Sequence, residues 1–160
     1  MQSNSKLVLV GPGASGKDFL RKKLQTRGFK FGVSCTTRPI REEETEGQDY
    51  YFVNDEDFKK LIENGEMLEY QEFNNWYYGI SKNEFEECDV LILNAEAVEK
   101  LPKEYRDRCF VIYTDIDREI RLERLEARTD FDNPQRRIEE DDKQFRNFSD
   151  YDCRITNEDF

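Results

Sequence analysis

The chain has 160 residues and carries 36 acidic against 25 basic side chains, which gives a formal net charge of −11. That length suits one domain that folds around its own core without metals or disulfides, and the acidic surface argues against polynucleotides or anionic lipids as partners. The chain contains no histidine, which excludes His-dependent triads and imidazole acid–base catalysis.

The cysteines and the hydropathy of the chain indicate a reducing compartment. The four cysteines are far apart and include no C-x-x-C pair, so we expect buried free thiols rather than disulfides or zinc ligands. No run approaches the roughly 18 apolar residues that suggest a membrane helix, and no amino-terminal stretch resembles a signal peptide. We therefore expect a cytoplasmic protein without a membrane partner.

The predicted elements begin with an apolar strand, KLVLV, followed by the glycine-rich turn GPGASGKD and a helix that Gly28 closes. This turn matches the G-x-G-x-x-G pattern of dinucleotide sites through its three glycines. It also matches the triphosphate loop GxxxxGK[ST] through Gly11, Gly16 and Lys17, with Asp18 in place of the expected hydroxyl residue.

The next predicted strand decides between these two patterns. A dinucleotide site needs an acidic residue about 20 residues beyond the glycines to hold the ribose, whereas FKFGVSC ends in Ser34 and Cys35. A triphosphate loop needs a lysine directly after its last glycine, and Lys17 stands there. We favour the triphosphate loop, with an ordinary glycine-rich turn as the alternative. Its predicted contacts with the triphosphate are Gly11, Pro12, Gly13, Ala14, Ser15, Gly16, Lys17 and Asp18.

The stretch from Arg38 to Gly79 is polar and rich in tyrosine, with strand-like DYYFV and MLEYQEF on either side of one predicted helix. We interpret it as an inserted lobe. Alternation in MLEYQEF places Glu69 on one face with Met67, Gln71 and Phe73, an unusual position for a carboxylate if that face only packs.

Beyond the lobe, DVLILNA and CFVIYT are continuous apolar runs typical of strands covered on both faces. The segment DREIRLERLEAR predicts a helix that Asp117 caps, and RTDFDNPQRR, interrupted by Pro134, resembles a mobile flap. We expect Arg121 to belong to a salt-bridged helix surface with the glutamates around it. Because strands and helices alternate, the predicted class is α/β with a parallel sheet.

Several segments resemble the guanylate kinase family. SCTTRPIREEETEGQDYYFV and MLEYQEFNNWYYGIS are similar to its monophosphate-binding lobe, and RLEAR, RRIEEDDKQF and YDCRITNEDF are similar to its lid, the following helix and the last strand. The resemblance covers nearly the whole chain. It implies a P-loop NTPase-type parallel sheet with helices on both faces, an inserted mixed α+β lobe and a short lid. The implied boundaries are core 1–33, 82–123 and 138–160, lobe 34–81 and lid 124–137.

The resemblance implies a phosphotransferase that uses ATP and Mg²⁺ to phosphorylate GMP or dGMP. Such a protein has small nucleotides as partners, and we expect a monomer or weak dimer. The attacking phosphate oxygen is already anionic, so the reaction needs no general base, which agrees with the absence of histidine.

The implied site residues fall into two groups. On the acceptor side, the phosphate would be held by Arg38, Arg41, Tyr50 and Tyr78, and the guanine base by Ser34, Glu69 and Glu96. On the donor side, the catalytic cations would be Lys17, Arg124, Arg128 and Arg137, with Asp18 near the metal and Asn157 near adenine. The alternatives are that Arg38 and Arg41 pair with the acidic run at 42–44 and that Glu69 is a solvated strand residue.

Some positions depart from the family pattern. Asp18 replaces the hydroxyl residue that helps to hold magnesium, Asn94 and Glu96 replace two aspartates, and Ile80 stands where Ser or Thr is frequent. The sequence also stops at Phe160, where relatives usually continue into a further helix. Two other functions therefore stay open: a (deoxy)nucleoside monophosphate kinase of different or broader base specificity, and a non-catalytic guanylate-kinase-like protein-binding module.

Overall fold

The computed structural model describes residues 5–73, 75–128 and 133–160. Its strands are β1 (Lys6–Val10), β2 (Cys35–Thr36), β3 (Tyr51–Phe52), β4 (Met67–Phe73), β5 (Trp76–Ser81), β6 (Val90–Leu93), β7 (Cys109–Thr114) and β8 (Cys153–Ile155). Its helices are α1 (Lys17–Thr26), α2 (Asp55–Glu63), α3 (Lys82–Glu87), α4 (Ala95–Lys100), α5 (Lys103–Arg106), α6 (Arg118–Glu126) and α7 (Pro134–Phe145).

The first sheet is parallel and has the strand order β6-β1-β7-β8. Its central strand β1 pairs with β6 on one edge and with β7 on the other, and the fully buried Val8 lies between Leu91 and Val111. The three apolar runs predicted as core strands form β1, β6 and β7, and helices flank the sheet. The α/β prediction is confirmed.

The second sheet has the order β3-β2-β5-β4 and mixes parallel and antiparallel pairs. One strand prediction was wrong, because FKFGVSC does not form a strand over its length. Phe31 makes a single bridge to Val90 of the first sheet, and the chain then crosses to β2 of the second. A side chain at Gly32 would collide with Leu91, so the chain passes β6 too closely for another residue.

Buried apolar residues join the two sheets. Leu68 and Ile80 of the second sheet pack in the same cluster as Val8, Leu91 and Val111 of the first. A separate cluster around Phe58, Cys35 and Met67 fills the inside of the second sheet against α2. Burial of this kind contributes roughly 25 cal/mol per Å² of apolar surface, so the larger cluster fixes how the sheets meet.

The cysteines are free thiols, as expected. Cys35 and Cys88 are buried and Cys109 is half-buried, but Cys153 is exposed, so the prediction of burial was wrong there. Cys153 lies on β8, which pairs only with β7 among the described strands and therefore forms an edge. Within the described ranges, none of the helices is long and apolar enough to cross a membrane.

Candidate active site

The glycine-rich loop lies between the end of β1 and the start of α1. Ala14 (φ 60°) and Gly16 (φ 96°) adopt left-handed backbone conformations, and none of the described side chains caps the first turn of α1. The loop packs closely against Thr114 at the end of β7. The Ser15 and Thr114 hydroxyl oxygens lie 2.6 Å apart, and a side chain at Gly11 would collide with Thr114. Uncapped N–H groups at such a helix start suit a bound anion.

A cavity of about 710 Å³ opens in front of this loop. The four residues predicted as catalytic cations all line it, namely Lys17, Arg124, Arg128 and Arg137. Burial lowers the pKa of Lys17 the most, and Arg137 and Arg128 lower it further, while Asp141 and Asp18 raise it. Side chains of α6, of the residues just after it and of α7 therefore concentrate positive charge beside the loop.

Hydrogen bonds to the loop hold two of these cations in place. Lys17 donates a hydrogen bond from Nζ to the carbonyl oxygen of Gly11, and Arg124 donates from Nη1 to the carbonyl oxygen of Ala14 at 3.0 Å. Both cations thus bind the loop's own carbonyl groups. An anion in the cavity would offer these donors a charged acceptor instead, which gives a stronger hydrogen bond.

The residues predicted to hold the acceptor phosphate form a second group, which shares Tyr50 with the large cavity. The rings of Tyr50 and Tyr78 lie 6.0 Å apart, and the Arg38 guanidinium lies 5.4 Å from the centre of the Tyr50 ring. Arg41 lies on the exposed turn that follows. The structure therefore brings Arg38, Tyr50 and Tyr78 together.

Glu44 holds the Arg38 guanidinium through two hydrogen bonds of 2.8 Å. The backbone N–H of Arg41 donates to the same carboxylate at 2.9 Å. The alternative pairing with the acidic run is thus present for Arg38, and the hydrogen bond with Glu44 raises the pKa of Arg38. Because the fork is bidentate, Glu44 fixes the plane of the guanidinium beside the two tyrosines.

The predicted base-reading carboxylate is buried. Glu69 is only 6% exposed, which rules out a solvated strand residue, and burial raises its pKa to about 7. The prediction that Glu69 shares a face with Met67 was wrong, because β4 has a bulge between these residues. Met67 packs with Phe58 inside the second sheet, whereas Glu69 pairs with Ile80 on the other face.

The substituted positions near Glu69 have structural roles. Asn94 caps α4 by accepting the Ala97 backbone N–H at 2.8 Å, and Glu96 pairs with Lys100 at 2.9 Å. Ser34 is half-buried before β2, where its carbonyl oxygen accepts the Tyr51 N–H. Ile80 is fully buried and has no polar group to offer.

The family model described as Guanylate kinase matches residues 3–160. The chain belongs to the guanylate kinase family. A guanylate kinase of Helicobacter pylori strain 26695 is 40% identical over 127 residues, which cover 74% of this chain and 62% of the relative. The chain thus aligns with less than two thirds of that relative's length.

Two further guanylate kinases are similar over more of the chain. The protein of Symbiobacterium thermophilum is 34% identical over 164 residues, covering 96% of this chain and 77% of the relative. The crystal structure of guanylate kinase from Anaplasma phagocytophilum matches with a TM-score of 0.69 and 27% identity, covering 97% of this chain and 77% of that one. The guanylate kinase fold is therefore shared across both sheets.

One contact of this guanylate kinase family protein was missed by sequence reasoning. Asp141 of α7 accepts the backbone N–H of Gly13 at 2.9 Å, and burial raises the pKa of its carboxyl group. Its spacing of four from Arg137 and three from the buried Ile138 places all three on one helical face. This spacing could have placed Asp141 on the buried face of its helix. No pattern in the neighbouring sequence indicates that this face contacts the glycine-rich loop.

The structure corrects the interpretation of Arg121. This side chain is buried rather than part of a salt-bridged surface. Its Nε donates to the carbonyl oxygen of Ile116 at 2.9 Å, and its Nη2 lies 3.6 Å from Asp142 of α7. Arg121 therefore connects α6, the segment before it and α7, whereas the glutamates of its own helix were the expected partners.

Three other predicted donor-side residues lie in different surroundings. Pro12 is buried and lines a small neighbouring cavity, and Asn157 is exposed and accepts the Asp159 N–H at 3.0 Å. Glu158, Asp159 and Phe160 line the large cavity instead of Asn157. The Asp18 side chain is 68% exposed at the cavity, with Arg21 at 3.7 Å. Among the described residues no three potential ligands form a metal cluster.

Proposed function

We propose that this protein transfers the terminal phosphoryl group of ATP directly to the phosphate of GMP or dGMP. The observation that carries the proposal is the shared position of Tyr50. It lines the cavity that holds Lys17 and also touches the group of Arg38 and Tyr78. A donor phosphate at the loop and an acceptor phosphate at the arginine would then face each other across one space.

On the donor side, we assign the triphosphate to the loop and its cations. The backbone N–H groups of the loop receive the phosphate oxygens, and Lys17 turns from the Gly11 carbonyl to the terminal phosphates. Arg124, Arg128 and Arg137, which line the same cavity, bind the same oxygens. The remaining proposed ATP contacts are Gly11, Pro12, Gly13, Ala14, Ser15, Gly16, Asp18 and Asn157.

On the acceptor side, Arg38 and Arg41 bind the phosphate together with the hydroxyl groups of Tyr50 and Tyr78. Glu69 accepts hydrogen bonds from the guanine ring N–H and amine, and Ser34 donates to the carbonyl oxygen. Glu96 is a weaker candidate for a base contact, because Lys100 already holds its carboxylate. Adenine presents the opposite hydrogen-bonding edge and would leave the buried Glu69 unpaired, so the site should reject it.

The reaction proceeds by in-line attack of an acceptor phosphate oxygen on the terminal phosphorus of ATP. No proton has to leave the nucleophile, so the protein's task is to position two anions and cancel their repulsion. Lys17 and the three arginines provide positive charge around the transferred group. Closure of the lid would exclude water.

Magnesium fits the donor set that the structure offers. Mg²⁺ is commonly bound by one or two carboxylates together with substrate phosphates, rather than by a cage of protein ligands. Asp18 supplies one exposed carboxylate at the cavity, directly after Lys17. Bound there, Mg²⁺ would neutralise phosphate charge, and Asp18 would hold it directly or through water.

We further propose the division of the chain into core, lobe and lid that the sequence predicted. The second sheet falls within the proposed lobe at 34–81. Of the proposed lid at 124–137, residues 129–132 lie outside the described residues. In this proposal the protein works in the cytoplasm as a monomer or weak dimer, with small nucleotides as its partners.

A coupled assay of ADP formation tests the function. We expect turnover with GMP and dGMP to exceed that with AMP, CMP and UMP by at least about a hundredfold, since each rejected base leaves buried polar groups unpaired. ADP release without an acceptor is the control for hydrolysis. Equal turnover with all five acceptors would overturn the assignment of Glu69.

A further inference from the structure

Two buried oxygen atoms on one face of β4 have no hydrogen-bond partner among the described residues: Glu69 Oε2 and Gln71 Oε1. Gln71 is only 4% exposed and Glu69 6%, while Tyr70 and Glu72 on the opposite face are exposed. A buried acceptor without a donor is costly. The pair therefore indicates a place where a ligand supplies the donors.

Asn94 sets the orientation of the Gln71 amide. Asn94 Oδ1 accepts the Ala97 backbone N–H at the start of α4, which identifies that atom as the oxygen. The Gln71 group that lies 2.7 Å from it must therefore be the NH₂ group. Its carbonyl oxygen Oε1 is consequently not the atom bound to Asn94, and no donor from the described part of the chain reaches it.

The pairing of β4 with β5 places Gln71 between the proposed base and phosphate contacts. Glu69 lies opposite Ile80 and Gln71 lies opposite Tyr78. Residues opposite each other in an antiparallel pair share a face. Gln71 is thus the next residue after Glu69 on this face of β4, and it lies opposite Tyr78, which is proposed to bind the acceptor phosphate.

The number of buried acceptor atoms on this face matches the number of hydrogen-bond donors on the edge of guanine. Glu69 offers one fully buried oxygen, Oε2, that has no hydrogen-bond partner in the described part of the chain. Guanine presents one ring N–H and two hydrogens of its 2-amino group, more than one carboxylate oxygen accommodates well. Gln71 Oε1 provides a second acceptor on the same face.

We propose that Gln71, oriented by Asn94, is a second base-selecting residue whose carbonyl oxygen accepts a hydrogen bond from the 2-amino group of guanine. The inference rests on the proposed function, because it places GMP against Glu69. It extends that function by predicting selection against hypoxanthine, which retains the ring N–H but lacks the 2-amino group.

The test compares GMP with IMP as acceptors for the wild-type protein and for Gln71→Leu. We expect the ratio of kcat/KM for GMP to that for IMP to fall about tenfold in the variant, the usual effect of one lost hydrogen bond. The kcat/KM for IMP should change by less than about twofold. Glu72→Leu, which places the same side chain on the exposed face of β4, is the control and should leave the ratio unchanged.

The outcomes separate this inference from the proposed function. A wild-type protein that phosphorylates GMP but whose GMP-to-IMP ratio is the same in Gln71→Leu refutes the role of Gln71 alone. A protein that binds GMP without phosphorylating it refutes the reaction, and the ratio of dissociation constants then decides on Gln71. If Gln71→Leu does not fold, Gln71→Met carries the same comparison, and a protein that binds neither nucleotide overturns both proposals.

Discussion

Replacement of Lys17 by methionine should lower the rate of phosphoryl transfer by about a thousandfold, the effect expected when a preorganised group that stabilises transition-state charge is removed. Lys17 lies at the start of α1 and lines the cavity with three arginines. Within the described ranges its ammonium donates a hydrogen bond to the Gly11 carbonyl alone, which a phosphate oxygen can replace. Steady-state ADP formation with saturating GMP measures the loss.

The fold should survive this substitution. Burial lowers the pKa of Lys17, and methionine removes this charge while keeping most of the side chain's length. Lys22→Met is the matched control, because Lys22 lies on the same helix but is exposed to solvent. A Lys17→Met protein with the wild-type rate would remove the loop from the proposed mechanism.

Replacement of Glu69 by glutamine should lower kcat/KM for GMP by about a hundredfold, because a charged hydrogen bond to the base is lost and an amide NH₂ faces the guanine donors. Binding of ATP should change little, since Glu69 is not among the residues that line the donor cavity. Titration calorimetry with each nucleotide separates the two effects. An equal loss of affinity for ATP and GMP would contradict a role in base selection.

The same substitution should stabilise the unliganded protein at alkaline pH. Burial raises the pKa of Glu69 from 4.5 to about 7, so the folded state binds this proton more tightly than the unfolded state. The contribution of Glu69 to stability is therefore greatest below pH 4.5, decreases as the pH rises to about 7, and is constant above. The full change is about 3 kcal/mol.

Urea unfolding of both proteins without ligand measures this effect. At pH 8 the Glu69→Gln variant should have the higher free energy of unfolding, and at pH 4.5 the two proteins should be nearly equal. Glu72→Gln, at an exposed position of the same strand, should behave like the wild type at both pH values. A difference between wild type and Glu69→Gln that does not depend on pH would contradict the raised pKa of the buried carboxyl group.

Local patterns were sufficient for much of the fold. The runs that became β1, β6 and β7 are apolar over their whole length, and the loop motif occupies consecutive residues, so each can be recognised without knowing its neighbours. Asp117 caps its helix as predicted, because capping depends on residues two or three positions away. The prediction of a single strand over FKFGVSC was wrong because Phe31 pairs with the first sheet and Cys35 with the second.

In the candidate site, too, local motifs could be predicted from the sequence, whereas contacts between distant residues could not. Lys17 could be proposed from the loop motif, and the three cavity arginines from the resemblance to the guanylate kinase family. The contact between Asp141 and Gly13 joins residues 128 positions apart, which no sequence period reveals. The bulge in β4 also escaped prediction, because strict alternation assumes a regular strand and a single bulge shifts its face.

A crystal structure with a non-hydrolysable ATP analogue and GMP bound together tests the central claim most directly. The account predicts the terminal phosphate of the analogue between the glycine-rich loop and Lys17, the GMP phosphate against Arg38, Tyr50 and Tyr78, and the guanine edge against Glu69. Either nucleotide bound outside these residues, with the other in place, would contradict it.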